Sequence, residues 1–220
     1  LDKTEKLLHE ALAINGRFKK AYIGLASVAE KRGKEIDKLY YASRAYLLDQ
    51  DYDNIIKILE NRPVIEKDVR VYKFYLIALM RGGLTEKAVQ VQNRGEKIFP
   101  SDEDLKMYRG MLLNMKGKEK EALEYFKALS ARYPENFNIL AAYGDLLLED
   151  QKSEEARILY EKALQIDPSS TSYRYKLAEI YRKASRQDEE LYHRGILYLY
   201  QGMILEARES LMRVKKPIHL

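Results

Sequence analysis

Apolar residues recur along this chain at intervals of three and four, the spacing of a helix with one buried face, and strand-type alternation is hard to find. The stretch after Asn136 is the clearest. Leu140, Tyr143, Gly144 and Leu147 fall on one face, and Ala156, Tyr160 and Ala163 fall on one face of the stretch that follows. The pattern predicts two helices, about Phe137 to Glu149 and Ser153 to Ile166. Ser153 reads as the N-cap of the second, with Glu154 and Glu155 in a first turn that favours negative charge. Pro168 punctuates its end, because proline cannot continue a helix interior. Gly144 and Ala156 are small, so the two helices can approach closely, and large side chains there would overpack.

The pattern repeats. Pro100, Pro134 and Pro168 stand 34 residues apart, as do Ala88, Ala122 and Ala156. Gly110 and Gly144 keep that interval, with Leu76 in the equivalent place one repeat earlier, and so do the pairs Phe126 and Tyr160, Leu113 and Leu147. Three units follow, 69–102, 103–136 and 137–170. They resemble the tetratricopeptide repeat family, whose signature places a large apolar residue, Leu-Gly and Tyr on a first helix, then Ala, an aromatic, a second Ala and Pro on the next. Unit 137–170 supplies Leu140, Tyr143-Gly144, Leu147, Ala156, Tyr160, Ala163 and Pro168. The preceding unit supplies Gly110, Leu113, Ala122, Phe126, Leu129 and Pro134. Unit 69–102 supplies Tyr72, Leu76, Leu79, Ala88 and Pro100, but has Gln92 where an aromatic is usual. The resemblance implies an all-α fold, a right-handed superhelical solenoid of antiparallel helix pairs, here about five to six pairs in a single helical-repeat domain over 1–220.

The flanks, 1–68 and 171–220, are irregular. Leu8 and Ala11 read as the end of a second helix. Tyr22, Leu25, Ala26 and Ala29 read as a first helix with Gly33 at its turn, and Leu39, Ala42, Ser43 and Tyr46 as another first helix, with Ile55 and Leu59 on the next. Downstream, Leu177, Ala178 and Tyr181 form one first helix and Leu191, Gly195 and Tyr198 a second, with Ala207 and Leu211 on its partner. At both places a 17-residue half-unit precedes a fresh unit. Three accounts fit: residues omitted near 33–36 and 185–188, which the pattern favours; irregular helices; or a Leu39 helix in the second-helix role, which Ala42 and Ala45 suit. The start at Leu1 adds the expectation of a fragment or processed form of a longer protein.

Composition narrows the function. The chain has 220 residues, no cysteine, 33% charged residues and a net charge of +5. Without cysteine there is neither a disulfide nor a thiolate metal site, a usage compatible with cytosol or periplasm. Charges of both signs are interspersed, as in Lys118-Glu119-Lys120-Glu121, which suits solvated helix faces better than the basic stripe of a nucleic-acid binder. No apolar run approaches a membrane span.

The resemblance implies that first helices line a concave groove holding a partner's peptide or helix. The corresponding places are Tyr40 and Arg44; Lys73 and Ile77; Met107, Met111 and Asn114; Ala141 and Asp145; Tyr175 and Glu179. Met107, Met111 and Met115 form a stripe suited to adaptable apolar contact, and 18 tyrosines against 5 phenylalanines offer apolar bodies with polar tips. The clamp with which some members hold a chaperone's C-terminal carboxylate is incomplete: Lys73 is in place, but Ile77, Met111 and Asp145 stand where asparagine would. Chaperone-tail binding is therefore not expected.

Catalytic constellations are missing from the sequence. His9, His193 and His219 lack metal-ligand spacing, and His193 reads as an ordinary half-exposed side chain. Arg81-Gly82-Gly83-Leu84 has no following Lys-Ser or Lys-Thr and reads as a helix-ending turn. Lys215-Lys216 and the net charge allow RNA binding, but a repeat code needs recurring polar residues where this chain varies from Met to Asp to Tyr. The expectation is a non-enzymatic protein-interaction scaffold in a larger complex, with no cofactor and no metal, bound to another protein. The alternative is a structural, self-associating spacer; RNA is disfavoured.

Overall fold

The computed structural model describes residues 2–215; Leu1, Lys216 and His219 lie outside the described residues. Thirteen α-helices and one 3₁₀ turn, with no strand, make up the described residues. They run α1 (Asp2–Ile14), α2 (Lys19–Lys31), α3 (Glu35–Leu48), α4 (Tyr52–Leu59), the 3₁₀ turn Pro63–Lys67, α5 (Val69–Arg81), α6 (Thr85–Ile98) and α7 (Glu103–Met115). Then come α8 (Glu119–Arg132), α9 (Phe137–Glu149), α10 (Ser153–Ile166), α11 (Thr171–Lys183), α12 (Gln187–Tyr200) and α13 (Ile204–Met212). Both helices expected in 137–170 are found at the predicted bounds. Ser153, however, is the first helical residue; Lys152 holds the cap position and gives no side-chain bond.

First helices begin 34 residues apart, at Glu35, Val69, Glu103, Phe137 and Thr171, and so do second helices, at Thr85, Glu119, Ser153 and Gln187. The 34-residue spacing of helix starts thus runs through the downstream place where the sequence signature slips, and across the upstream one the spacing is 33, from Asp2 to Glu35 and from Lys19 to Tyr52. Each is an ordinary tight turn whose left-handed residue is Gly33 (φ +68) or Ser185 (φ +56), like Gly83 (φ +75) between α5 and α6. What changes is the side-chain pattern. α12 starts in second-helix register yet presents Gly195 to Leu211 and the Ala207 carbonyl of α13, just as Gly144 of α9 meets the Tyr160 ring of α10. Its first-helix signature is the imprint of that second packing partner.

Internal contacts divide the chain into two compact units, 1–112 and 113–220. In the first, α5 is the hub. It packs on α3, α4 and α6, and it buries Val71, Tyr72, Phe74, Tyr75, Leu76, Ala78, Leu79 and Met80. A helix apolar on most sides belongs inside. Around it lie Leu39, Ile55, Leu59, Ala88 and Leu105. Gly95 of α6 admits Tyr72, whose ring edge would lie 2.6 Å from a Cβ added there; that close approach is why glycine holds the position. The same arrangement recurs at the start of the chain, where Gly24 of α2 makes room for Leu8 of α1. α4 stops after eight residues, with Glu60 extended and Asn61 left-handed (φ +58), because Pro63 cannot continue it. The 3₁₀ turn follows and buries Ile65.

In the second unit Leu147, Ala156, Tyr160, Leu164, Leu177, Ile180 and Tyr181 form the core, with Tyr143, Leu148 and Tyr173 against it. Phe126 and Tyr143 stack at 6.2 Å, so the aromatic column of the repeat joins neighbouring helices. Asn136 and Ser170 cap α9 and α11 by accepting from Ile139 and Tyr173 backbone N–H groups.

Candidate functional site

The predicted first-helix positions of unit 1–112 are mostly half-buried and already engaged. Tyr40 packs edge-on against Tyr41, lies 5.7 Å from Phe74, and carries the Arg70 guanidinium over its face at 4.7 Å. Arg44 donates to the Tyr22 hydroxyl at 3.1 Å. Lys73 donates to Asp104 at 2.6 Å and Asp102 at 3.2 Å. Burial works against its charge, but the two carboxylates outweigh it and hold its pKa above the ordinary value. A lysine so paired is poorly placed as a free carboxylate clamp. Ile77 and Met111 are half-buried and Met115 is exposed, whereas Met107 is only 8% exposed. The methionine stripe is therefore graded, with Met107 in the interior.

In unit 113–220, Asn114 donates to Glu149 at 2.7 Å. Ala141 is buried. Asp145 is exposed, accepts from the Tyr160 hydroxyl at 2.6 Å and pairs with Lys176 at 2.8 Å. Burial, then Asp145, push the Tyr160 hydroxyl pKa upward, so it stays a donor. Tyr175 is open to solvent, at 58% exposure. Glu179 pairs with Arg182 at 2.7 Å, a contact that lowers its pKa.

Two features escaped the sequence. His193 is fully buried, not half-exposed, and neither ring nitrogen has a partner. It stacks on Tyr181 at 5.5 Å. Burial, then the charge of Arg174, push its pKa down to about 4. Arg174 is itself 7% exposed, donates to the Pro168 carbonyl at 3.0 Å, and leaves Nε and one terminal nitrogen unpartnered. A partial signal was present: Arg174 stands in the column of Tyr72, Lys106 and Leu140, where the family signature places a large apolar residue. The second feature is a cleft of about 480 Å³ where α4 is cut short, floored by Tyr72, Tyr75 and Val91. Its cations are neutralised, Lys87 by Glu60, Arg94 by Glu66 and Arg62 by Glu35. Among the described residues no cluster of His, Asp and Glu could hold a metal ion, and no helix is long and apolar enough to cross a membrane.

Paired helices at 34-residue spacing, small residues facing aromatics and an alanine column define a tetratricopeptide-type helical-repeat fold. Residues 116–171 match the tetratricopeptide repeat family. Among solved structures, the chain is similar to TTC0263, a tetratricopeptide-repeat protein of Thermus thermophilus (TM-score 0.65, 20% identity, 81% of this chain and 97% of that one). It is also similar to a chain of the Cut9–Hcn1 hetero-tetramer of the APC/C (TM-score 0.68, 14% identity, 98% of this chain but 49% of that one). A third likeness is to MamA of AMB-1 (TM-score 0.51, 21% identity, 76% and 97%). At these identities the likeness is one of fold. No curated protein matches the sequence significantly.

Proposed function

We propose that the chain is a protein–protein interaction scaffold, and that a partner's peptide or helix docks on the side formed by its first helices. The carrying observation is the residue column itself. Ile77, Met111, Asp145 and Glu179 recur at the 34-residue interval on first helices and keep part or all of their surface open, as do Tyr175, Asn114 and Arg44 at other places on those helices, while Met107 and Ala141 sit in the interior as support. In unit 1–112 the open positions are aromatic and apolar at Tyr40, Ile77 and Met111, and cationic at Arg44 and Lys73. In unit 113–220 it is mainly polar, with Tyr175 as an aromatic anchor. Such a mix suits an amphipathic or extended segment. The absence of a catalytic constellation from the sequence agrees with a binding role.

The test follows from burial. Glu at Met107 would place a charge in the interior and confuse binding with unfolding, so Ile77→Glu and Met111→Glu are the informative variants. A partner isolated on the wild-type chain should lose at least about tenfold in affinity for the double variant while helicity is retained. Equal affinity would remove the first helices of unit 1–112 from the interface. Self-association is the second reading, favoured by exposed apolar side chains on α13.

A further inference from the structure

Helix α13 has two faces. Ala207 is fully buried, and Leu211 and the Ala207 carbonyl close on Gly195 of α12. By helical period, Leu205, Arg208, Glu209 and Met212 share the opposite face. Leu205 is 77% exposed and Met212 72%, and Arg208 and Glu209 are exposed between them. Ile204 and Met203 at its start, and Leu199 and Tyr200 at the end of α12, are also exposed. Six large apolar side chains open to solvent within residues 199–212 are more than scattered surface residues explain, and such patches mark contact sites.

The charge order on this face identifies the occupant. Arg208 and Glu209 are neighbours in sequence and do not face each other on the helix. We propose that α13 pairs antiparallel with α13 of a second copy of this chain. A two-fold axis between Arg208 and Glu209 sets Leu205 against Met212 of the second copy at both ends. The same axis sets Arg208 against Glu209 of the second copy, twice over. The face is thus complementary to itself in both apolar and charged positions, the requirement for an isologous dimer. This pairing involves none of the groove residues named above and no partner protein, so it stands or falls separately from the scaffold reading.

Sedimentation velocity of the 220-residue chain over a range of concentrations tests it. The expected species at high concentration has twice the 25.8 kDa mass of one chain. Leu205→Glu should weaken the dimer at least about tenfold, as should Arg208→Glu or Glu209→Arg alone. The double variant Arg208→Glu/Glu209→Arg should restore it. So should mixing the two single variants, because the mixed dimer regains both pairs; that rescue also shows that each variant is folded. A chain that stays monomeric throughout overturns the proposal. So does a dimer indifferent to Leu205→Glu, or a charge reversal that neither the double variant nor the mixture rescues.

Discussion

Replacing Gly95 by Ala sets two effects of opposite sign against each other. In a helix interior alanine is favoured over glycine by about 1 kcal/mol, so a helix considered alone would gain. The neighbour decides otherwise. A Cβ at position 95 would lie 2.6 Å from Cε1 and 3.3 Å from Cδ1 of Tyr72, and 3.4 Å from Cδ1 of Leu105. Tyr72 is 2% exposed, and its hydroxyl donates to the Val91 carbonyl at 2.7 Å. The ring is held at both ends and cannot swing out. Overpacking costs roughly 1–3 kcal/mol and a strained hydroxyl contact about 1 kcal/mol more. The net expectation is a destabilisation of about 1–3 kcal/mol. Gly24→Ala is the matched control. Its Cβ would meet the methyls of Leu8 at 2.9 and 3.0 Å, but Leu8 is half-buried and unanchored, so it can turn away and leave the helix gain largely intact. Urea unfolding by circular dichroism reads both variants. Stabilisation by Gly95→Ala, or an equal loss in the two, would refute the reasoning that glycine is kept there for the anchored ring.

Other expectations follow from the same contacts. Arg174→Leu restores the apolar residue its column calls for and removes a poorly satisfied buried charge, so urea unfolding should show a change between neutral and about 2 kcal/mol stabilising. His193 has a folded pKa of about 4 against 6.5 unfolded. The unfolded chain therefore binds more protons between those values, and this contribution is full above pH 6.5 and lost as pH falls toward 4. Its size is on the order of 3 kcal/mol; denaturation at several pH values should lose that slope in His193→Phe, with Arg174, Glu189, Tyr181 and Tyr192 left to face the new ring. Ser185→Gly should raise thermal stability by about 1 kcal/mol, because a left-handed φ of 56° suits glycine.

Much of the fold was legible because its determinants are local and periodic. Proline, alanine and glycine columns gave the 34-residue period, and both helices of 137–170 fall where the pattern put them. The flanks were harder, since a helix packed on two neighbours can carry the mark of either. Gly195 reads as a first-helix glycine because of α13, although α12 begins in second-helix register. Of the candidate site, the column could be read but not its depth. Met107 and Met111 are one turn apart, yet one is interior and the other half open, a difference set by the packing of neighbouring helices. His193 reads as half-exposed in the sequence and Arg174 goes unremarked there; the packing of the second unit encloses both.

The scaffold reading is tested most directly by site-specific photo-crosslinking in the presence of the chain's partners. A photoreactive residue replaces Ile77 or Tyr175 on first helices in two chains, and Ile158, 56% exposed on second helix α10, in a third. The account predicts discrete adducts of one and the same partner from Ile77 or Tyr175 and none of it from Ile158. Adducts confined to Ile158, or equal at all three places, would contradict docking on the first-helix side.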